Sequence, residues 1–597
     1  MTFNPHNQFV IDVDAKKSIF IIRCAVWANE LLANIPSKRW SKSARAWGVP
    51  IIKQNVTEIR SLLAAAGVVA TEGAMTAIND HEVKVAAMKN VGEGFPAWYK
   101  FKTEPRQHQY RAINKCYGLN AAALFMDMQT GKSKTAIDLC VAHRMNGDIL
   151  GVLILVKLTL RRNWIKQFEQ HCPIDFDIYL PMTGNQKQFE RWLRTPHDFK
   201  VMIAGWESLS VGGMAAMCEQ FQIVMGHTAC IGDETTYITN SKAERTRRAV
   251  KLAHMSDYRY ALTGTPATEG PMNLYSQFEF LDSNVIGIGD YYAFRNRYAV
   301  MGGYRPTEGA MKGKPTQIVG YQNLDELMEL ISPHTFQVTK DEAYDLPPKR
   351  YETREVQITK AQRDMYKKAK GEGVLLITGS EDHVIQNTLE VALRLHQITG
   401  GYSVIPREER REKKDGTWAV KTVFDPVRIV DPENNPKMVE LMAVVNEAAA
   451  ARKKGIIWAV YMPEILDIAA LVRGAGYRVG ELHGGIPDPL RQPTVDAFER
   501  GELDWIVGNA QTASMGYTMQ SAEVNIFYSN TFKCIDRLQA EDRSYGDGQT
   551  KSGIWIDIMA EKTVDVTIKK ALDEKEDVQS YIKHRIREIN KLLDGDE

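Results

Sequence analysis

Long apolar runs, a large net charge and paired cysteines are all missing from this chain of 597 residues. No apolar stretch approaches the ~20 residues that a membrane-spanning helix needs, so the sequence predicts no membrane association. The first residues, MTFNPHNQFVIDVD, lack a basic segment followed by an apolar one, and no secretory signal is therefore expected. The sequence thus favours a cytoplasmic protein.

The seven cysteines are scattered and form no Cys-x-x-Cys pair. Their distribution argues against a zinc ribbon and against a disulfide framework, and it fits reduced thiols in a cytosol. Cys218, His227 and Cys230 lie close together in the sequence, but their spacing matches no usual zinc pattern. The sequence therefore predicts no metal site at these three residues.

Charge and composition leave the functional class open. The net charge is +1, and 25% of the residues are charged, as in an ordinary globular enzyme. Any contact with nucleic acid must therefore use local basic patches rather than overall charge. At roughly 100–200 residues per domain, a chain of this length is expected to form three or four domains.

Two stretches of the chain alternate continuous apolar runs with helical periodicity, the pattern of a parallel sheet covered by helices on both faces. In the first stretch, the strand candidates are 121–126, 149–156 and 200–204. In the second, they are 455–460, 477–479, 505–508, 524–528 and 554–558. The sequence predicts an α/β fold with two tandem parallel-sheet lobes.

The remaining segments predict smaller units. The β-like runs 9–13 and 18–22 and a helix at 57–66 indicate a small α+β domain, followed by a polar linker at 71–82. A charged stretch at 406–418 contains an Asp-Gly turn, which predicts a hairpin tip. The last helix is expected at about 563–592. The predicted domains are 1–80 (small α+β), 96–335 (first lobe), 336–435 (connector and insertion), 436–575 (second lobe) and 576–597 (helical brace).

Gly131-Lys132-Ser133 follows the strand candidate 121–126. A tight loop between a strand and a helix presents backbone N–H groups to an anion. Gly131 suits a close backbone approach, Lys132 would reach β- and γ-phosphates, and the Ser133 hydroxyl would ligate Mg²⁺. An ordinary loop lysine is the competing interpretation, because Met126 occupies the place of the first glycine of the full phosphate-loop pattern.

An acidic pair, Asp233-Glu234, ends the apolar segment 229–232, about a hundred residues after this loop. Asp233 would hold Mg²⁺, directly or through water, and Glu234 would orient and deprotonate the attacking water. A solvated acidic pair on a turn is the competing interpretation. The presence of the upstream loop favours the catalytic one.

Taken together, these motifs resemble the superfamily-two helicase motors, and within them the Swi/Snf-type DNA translocases. In the first lobe the resemblance is carried by PRQHQ (105–109), LILVK (153–157), NWIKQF (163–168), AGWESL (204–209) and ALTGTP (261–266). It implies that Gln109 reads adenine, that Lys157 contacts DNA, and that Thr263 and Thr265 couple ATP to the DNA grip. The nucleotide-binding residues it implies are Gln109, Thr130, Gly131, Lys132, Ser133 and Lys134.

In the second lobe the resemblance continues with LHGG (482–485), the segment 511–522 and QAEDR (539–543). It implies two RecA-like lobes with ATP bound in the cleft between them. The second-lobe residues it implies are His483 and Gly484 for nucleic acid, Gly516 and Thr518 for coupling, and Gln539 and Arg543 for catalysis.

One departure from the family concerns the last of these motifs. The family carries a second arginine three residues after the first, and here that position is Gly546. Glycine supplies no cation. Either Arg543 serves alone, or Arg537 or Lys551 substitutes, or hydrolysis is slow. Gln129 stands where many motors have a glycine, and this smaller departure also favours slow hydrolysis.

The N-terminal unit is similar to the HARP-type domain of annealing helicases, through IPSKRW (35–40) and AWGVP (46–50). Lys38 and Arg39 would hold phosphates, and Trp40 would stack on unpaired bases. In the competing interpretation, Trp47 and its neighbours form the core of a small domain that the charges merely solvate.

The resemblance implies a monomeric enzyme that uses ATP and Mg²⁺ to move along double-stranded or branched DNA, remodelling or re-annealing it at forks or displaced strands. The alternatives are a strand-separating DNA or RNA helicase and a hydrolysis-impaired, ATP-gated DNA clamp, which Gly546 favours. The sequence shows no chromatin-reader module, and its compactness suits a bacterial or viral source.

Overall fold

The computed structural model describes residues 9–14, 19–24, 31–32, 35, 38–41, 44–51, 53–64, 68–89, 95–182, 184–210, 212–267, 270–302, 317–375, 381–412, 418–513, 517–546, 549 and 552–574. The chain divides into two compact units, Met1–Thr339 and Lys340–Glu597. Among the helices of these described residues, none is long and apolar enough to cross a membrane. No disulfide joins any of the seven cysteines, and six of them are buried.

The first unit begins with a small α+β domain, as predicted. Its elements are β1 (Phe9–Asp14), β2 (Ile19–Arg23), β3 (Arg39–Ser41), β4 (Ala46–Pro50), α1 (Lys53–Leu63), β5 (Val68–Ala70) and α2 (Glu72–Lys89). The strands form one sheet in the order β3-β4-β2-β1-β5, antiparallel except for β1 beside β5. Alternate residues such as Ile11, Phe20 and Ile22 are fully buried in its core.

The prediction of a polar linker at 71–82 is wrong, because helix α2 occupies most of that stretch. Ala74 and Ile78 are fully buried in the core of the N-terminal domain. Residues four apart share one face of a helix, so Ala74 and Ile78 dock α2 on this core, with Met75 and Ala77 packed beside them. The polar residues on either side, such as Glu72, Asn79 and Asp80, hide that spacing in the sequence.

The larger part of the first unit is built around a seven-stranded sheet in which all neighbours are parallel. Its strands are β6 (Ala121–Met126), β7 (Gly151–Val156), β8 (Asp177–Tyr179), β9 (Lys200–Gly205), β10 (Thr228–Asp233), β11 (Tyr258–Thr263) and β14 (Thr335–Val338), and an antiparallel ribbon adds β12 (Ala299–Gly302) and β13 (Gln317–Tyr321). Its helices are α3 (Gln107–Cys116), α4 (Lys132–Asn146), α5 (Arg161–His171), α6 (Gln186–Arg194), α7 (Gly212–Met225), α8 (Glu244–His254), α9 (Leu274–Leu281), α10 (Ser283–Ile286), α11 (Tyr291–Tyr298) and α12 (Leu324–Ile331).

The strand order of this sheet is β14-β6-β11-β10-β7-β9-β8. Every residue of β6, β7, β9 and β10 is buried, as expected for strands covered on both faces. Because all neighbours are parallel, the carboxyl ends of the strands meet at one edge. That edge carries the ends of β6, β10 and β11, where the predicted motifs begin.

The second unit contains a six-stranded, all-parallel sheet in the order β15-β22-β21-β18-β20-β19. The strands of the unit are β15 (Arg350–Val356), β16 (Tyr402–Glu412), β17 (Trp418–Arg428), β18 (Gly455–Trp458), β19 (Val479–Leu482), β20 (Trp505–Gly508), β21 (Val524–Phe527) and β22 (Ile554–Ala560). Its helices are α13 (Lys340–Ala343), α14 (Lys360–Leu375), α15 (Glu381–Thr399), α16 (Pro436–Ala450), α17 (Met462–Gly474), α18 (Asp488–Glu499), α19 (Ala510–Ala513), α20 (Cys534–Asp542) and α21 (Val564–Asp573). The predicted α/β class with two parallel-sheet lobes is confirmed.

Part of the predicted connector belongs to the second sheet. Strand β15 lies within the predicted stretch 336–435, and it pairs with β22 over seven residues. The same stretch contains the predicted hairpin, since β16 and β17 form a continuous antiparallel ladder from Tyr402 to Glu412. The tip of that hairpin and the brace 576–597 lie outside the described residues.

A buried ion pair joins two helices of the second unit. Lys437, in the first turn of α16, lies 2.9 Å from Asp565 in the first turn of α21, and both side chains are at most 4% exposed. Asp565 also accepts hydrogen bonds from the Thr399 hydroxyl at 2.7 Å and from the Ala560 N–H at 3.1 Å. Four segments of the unit therefore depend on this one carboxylate.

We expect Asp565→Ala to lower the free energy of unfolding of the second unit by about 3–5 kcal/mol, because it leaves the Lys437 ammonium buried without its counter-charge. The measurement is urea unfolding followed by circular dichroism. The double variant Lys437→Met/Asp565→Leu, which removes both charges, should lose much less stability. A double variant as unstable as the single one would contradict this explanation.

Candidate active site

The loop between β6 and α4 has the backbone of an anion cradle. Gln129 and Gly131 adopt φ values of +65° and +87°, in the left-handed region that favours glycine. Alternation of this kind turns successive N–H groups towards one point, at the N-terminus of the following helix. The loop also packs closely on Gln109, because a Cβ at position 131 would lie 2.0 Å from its Nε2 and would displace that side chain.

Lys132 lies folded over this loop. Its Nζ donates to the main-chain oxygens of Met126 at 2.8 Å and Asp127 at 3.1 Å, and the residue is only 9% exposed. The Thr130 hydroxyl donates to the same Asp127 oxygen at 2.7 Å and closes the turn. Ser133 lies half-buried in the first turn of α4. A phosphate group would replace the carbonyl oxygens as the partner of the Lys132 ammonium.

Gln109 joins the start of α3 to the phosphate loop. Its Nε2 donates to the Thr130 oxygen at 3.1 Å, and its Oε1 accepts from the Arg106 N–H at 3.0 Å. A ring nitrogen of His108 lies 2.8 Å from the same Thr130 oxygen. The structure thus places the predicted adenine-reading residue in contact with the loop that would hold the phosphates.

Lys134 forms an ion pair with Asp138. Its Nζ lies 2.6 Å from Oδ2 of Asp138, whose other oxygen accepts from the Tyr99 hydroxyl at 2.8 Å. The ammonium also lies 5.1 Å from the centre of the Phe101 ring. In this structure the positive charge of Lys134 is therefore paired with a buried carboxylate rather than with the loop.

Asp233 ends β10 in a buried position that two tryptophans approach. The indole N–H of Trp164 donates to Oδ2 of Asp233, and that of Trp206 donates to its main-chain oxygen, each at 2.8 Å. Burial raises the pKa of Asp233 to about 6, and the neighbouring Glu234 adds to the rise, whereas the Trp164 N–H and the Lys132 ammonium oppose it. The carboxylate is thus held in a fixed orientation close to the charge of the phosphate loop.

Oxygen donors of this kind suit a magnesium ion. The Asp233 carboxylate and the Ser133 hydroxyl are hard ligands, and Mg²⁺ is commonly held by one or two protein oxygens together with substrate phosphates. Across the described residues, no group of three or more His, Cys, Asp or Glu side chains is arranged to hold a metal ion. As oxygen donors, the Asp233 carboxylate and the Ser133 hydroxyl fit an ion that arrives with a nucleotide.

Glu234 connects the acidic pair to the end of β11. Its backbone is left-handed, with φ +54°, which is unusual for a side chain of this size. Its Oε2 accepts a hydrogen bond from the Thr263 hydroxyl at 3.2 Å, and the Thr263 oxygen accepts from the Thr265 N–H at 3.1 Å. A Cβ on Gly264 would lie 3.3 Å from the Met128 nitrogen, so this segment packs directly on the phosphate loop.

Gln277 connects two segments of the candidate site, and the sequence did not reveal it. It is fully buried on α9, its Oε1 accepts from the Thr235 hydroxyl at 2.8 Å, and its Nε2 donates to the Pro266 oxygen at 2.7 Å. It thereby ties the residue after the acidic pair to the segment that carries both threonines. The sequence of the helix, LYSQFEFL, gives little signal, because Gln277 is one of three polar residues among aromatic and aliphatic ones.

In the second unit, the predicted segment 511–522 contacts the predicted segment 539–543. The Met519 N–H donates to the Arg543 oxygen at 2.8 Å, and an Arg543 Nη1 lies 3.4 Å from the Tyr517 oxygen. Arg543 is 4% exposed, whereas Gln539 is half-buried and Thr518 is exposed. Gly516 lies outside the described residues.

His483 and Gly484 have different surroundings. The His483 ring is buried, with Nε2 3.0 Å from Oε2 of Glu481 and Nδ1 accepting from the Gly485 N–H at 3.1 Å. Gly484 is exposed, and a Cβ on it would meet no atom within 4 Å. The histidine therefore holds the turn in place, and the glycine backbone is the part of this motif that a ligand can approach.

Arg537 is buried in the interior of the second unit. It is 4% exposed, and it forms ion pairs with Asp557 at 2.5 Å and with Glu541 at 2.8 Å. Its guanidinium also lies 3.4 Å from the centre of the Phe527 ring. A side chain held in this way cannot replace the missing second arginine, and Lys551, the other candidate, lies outside the described residues.

The N-terminal aromatic pair consists of one exposed and one packed tryptophan. Trp40 is 48% exposed, and its ring centre lies 5.3 Å from that of Trp47, which packs against the domain core. The Lys38 Nζ donates to the Leu32 oxygen at 2.5 Å and to the Ile35 oxygen at 3.3 Å. The side chain of Arg39 lies outside the described part of the chain.

Two family models match this sequence. The model described as the SNF2-related domain matches residues 52–401, which is more than half of the chain, and the helicase conserved C-terminal domain matches residues 437–546. Both matches leave out residues 1–51, so neither describes the start of the N-terminal domain. The boundary between the two matches falls within the second unit of the fold.

Several curated proteins are similar to most of this chain. A putative ATP-dependent helicase/translocase YwqA of Bacillus subtilis is 24% identical over 81% of this chain and 49% of its own length. The ATP-dependent helicase fft1 of Schizosaccharomyces pombe is 19% identical over 79% of this chain and 52% of its own. The chain spans about half the length of these relatives. A Sulfolobus solfataricus SWI2/SNF2 ATPase core solved in complex with dsDNA covers 84% of this chain and 98% of its own, with 20% identity and a TM-score of 0.36.

The raised pKa of Asp233 predicts that Asp233→Asn stabilises the first unit at neutral pH. A carboxyl whose pKa rises from 3.8 to about 6 on folding contributes stability that is fully present below pH 3.8 and is lost as the pH rises through about 6. Above that pH, the asparagine variant lacks the buried charge and should be more stable by about 1–3 kcal/mol.

The measurement is thermal unfolding of both proteins at roughly pH 7.5 and at roughly pH 4, where the difference should vanish. An asparagine variant that is less stable than the natural protein at neutral pH would contradict the assigned cause.

Proposed function

Because this chain belongs to the SNF2-related family, we propose that it hydrolyses ATP to move along double-stranded DNA. The observation that carries the proposal is the convergence of Lys132, Asp233, Glu234 and Thr263 at one edge of the seven-stranded sheet. A phosphate cradle, a metal-holding carboxylate and a second carboxylate for water are the parts that phosphoryl transfer to water requires.

The chemical roles follow from the contacts in the first unit. The ammonium of Lys132 binds the β- and γ-phosphates when they displace its two carbonyl partners. Mg²⁺, held by Asp233 and Ser133, would supply positive charge to the same phosphate oxygens. Glu234 orients the attacking water and takes its proton, and the Thr263 hydroxyl fixes the direction of that carboxylate.

A DNA substrate is proposed from the family and from local features, since the net charge of +1 provides no general attraction to phosphate. Lys157, directly after β7, is the proposed DNA contact of the first unit, and the exposed Gly484 backbone is that of the second. For the N-terminal domain we propose a HARP-like role on forked or displaced strands. Its support is Trp40, a half-exposed aromatic ring on which an unpaired base can stack.

A second candidate, an ATP-gated DNA clamp that hydrolyses slowly, is favoured by one observation. Gly546 occupies the position of the second arginine, and Arg537 is held by Asp557 and Glu541 in the core. Arg543 is therefore the arginine on which fast hydrolysis would depend. A translocase requires ATP hydrolysis, whereas a clamp requires only that ATP and DNA bind.

We expect duplex DNA to stimulate ATP hydrolysis by the full chain, and Lys132→Ala to reduce hydrolysis to background. Arg543→Ala should lower turnover by about 10³-fold or more while leaving ATP binding intact, because an arginine at the γ-phosphate acts on the transition state. Phosphate release measured with duplex DNA, RNA and no polynucleotide tests both variants. Lys251→Ala, which removes an exposed lysine paired with Glu219, is the control.

Three outcomes of this assay distinguish the candidates. Strong stimulation by duplex DNA supports the translocase. ATP-dependent DNA binding supports the clamp if the natural protein hydrolyses ATP no faster than Arg543→Ala does. Stimulation by RNA but not by duplex DNA would replace both with an RNA-directed enzyme.

We also expect Trp40→Ala to weaken binding to forked DNA by about 1–3 kcal/mol per stacked base, with little effect on the ATPase rate on plain duplex. Fluorescence anisotropy with forked and blunt DNA of equal length measures the difference. Trp98→Ala is a matched control, because Trp98 is 47% exposed but lies outside the N-terminal domain. An equal loss on blunt and forked DNA would contradict a base-stacking role.

A further inference from the structure

The indoles of Trp164 and Trp206 converge on one residue, Asp233, from two different elements. Trp164 lies on α5 and donates to the carboxylate, whereas Trp206 begins a short 3₁₀ turn at Trp206–Ser210 and donates to the main-chain oxygen. Both tryptophans are at most 1% exposed. Asp233 is therefore held at its side chain and at its backbone by two large and rigid groups.

Burial alone does not explain these two hydrogen bonds. A buried indole N–H usually finds a partner, but in this protein several do not. Within the described residues, the N–H groups of Trp192, Trp458 and Trp555 are buried and make no hydrogen bond. Two indoles directed at the same aspartate are thus a specific arrangement rather than a general consequence of packing.

Both elements also meet the segment 157–160, the proposed DNA contact. Helix α5 begins at Arg161, directly after the 3₁₀ turn Leu158–Leu160. The Leu158 N–H donates to Oε2 of Glu207, the residue after Trp206, at 3.2 Å. The contact is tight, since a Cβ on Gly205 would lie 2.3 Å from Cδ2 of Leu158. Segment 157–160 is therefore connected to Asp233 through α5 and through the 206–210 turn.

We propose that Trp164 and Trp206 are positioning residues that orient Asp233 for the magnesium ion, and that they transmit the state of segment 157–160 to this carboxylate. The proposal rests on the proposed function, because it takes that segment as the DNA contact and ATP with Mg²⁺ as the ligand. The indole of Trp164 fixes Oδ2 and so fixes the plane of the carboxylate. DNA bound at segment 157–160 stabilises the arrangement of α5 and the 206–210 turn in which Asp233 is aligned.

Trp164→Phe tests the positioning role, since it removes the N–H donor and keeps an aromatic ring. Loss of a group that orients a metal ligand typically reduces metal affinity 10–100-fold, so the Mg²⁺ concentration needed for half-maximal binding of a fluorescent ATP analogue should rise about tenfold or more. Trp206→Phe acts through the backbone and should give a smaller rise. This titration is performed without DNA and does not depend on turnover.

Trp192→Phe is the matched control, because Trp192 lies in the same unit and its indole N–H has no hydrogen-bond partner within the described residues. Its Mg²⁺ requirement should equal that of the natural protein. Thermal unfolding of all variants establishes that each is folded. An unchanged Mg²⁺ requirement in Trp164→Phe, or an equal rise in Trp192→Phe, would overturn the positioning role.

Glu207→Ala tests the transmission separately, because it removes the acceptor of the Leu158 N–H and leaves both indoles in place. We expect its Mg²⁺ requirement without DNA to stay the same, and the stimulation of ATP hydrolysis by duplex DNA to fall several-fold. Full stimulation in this variant would overturn the transmission. If the natural protein shows no DNA-stimulated hydrolysis, the proposed function and the transmission fail together, whereas the Mg²⁺ titration still decides the role of Trp164.

Discussion

The parallel pairing of the seven-stranded sheet is the constraint on which the first unit depends. Because β6, β10 and β11 are neighbours running in one direction, the residues that follow each strand meet at a single edge. No long loop is needed to bring the phosphate cradle beside the acidic pair. The sheet therefore fixes where the backbone of each motif begins, and the loops carry the side chains of the site.

Two buried cations of the second unit, Arg537 and Lys437, are compensated by carboxylates. Arg537 pairs with Asp557 and Glu541, and Lys437 pairs with Asp565, so these ion pairs hold helices and strands together. Asp233 differs from them, because burial and the nearby Glu234 raise its pKa. Arg537 and Lys437 thus have carboxylate partners within the fold, whereas a cation would relieve the burial of the Asp233 carboxylate, the candidate metal ligand. This contrast separates Arg537 from the candidate catalytic groups, although both lie in sequence motifs.

The sequence was sufficient for features that depend on local pattern and strand order. The two parallel sheets, the hairpin and the positions of the phosphate loop and acidic pair follow from apolar runs ended by polar motifs. Side-chain partners could not be predicted, because they depend on the direction of each group in the folded protein. Gln277 and the two indoles at Asp233 are examples. Lys134 is another, because the motif that contains it predicts a contact with nucleotide and not its ion pair with Asp138. Helix α2 could not be predicted because its two fully buried residues, Ala74 and Ile78, leave a weak apolar periodicity.

The distribution of thiols described above has a practical consequence for following this protein in solution. Burial raises the pKa of Cys116 to about 12 and that of Cys172 to about 11, which keeps such thiols protonated and shielded from reagents. Cys24 is the one cysteine that is not fully buried, although its pKa is also raised by burial. A thiol-reactive dye should therefore attach first to the N-terminal domain of the natural sequence. A reporter would then lie on the domain for which a role in branched DNA is proposed, with no cysteine removed elsewhere.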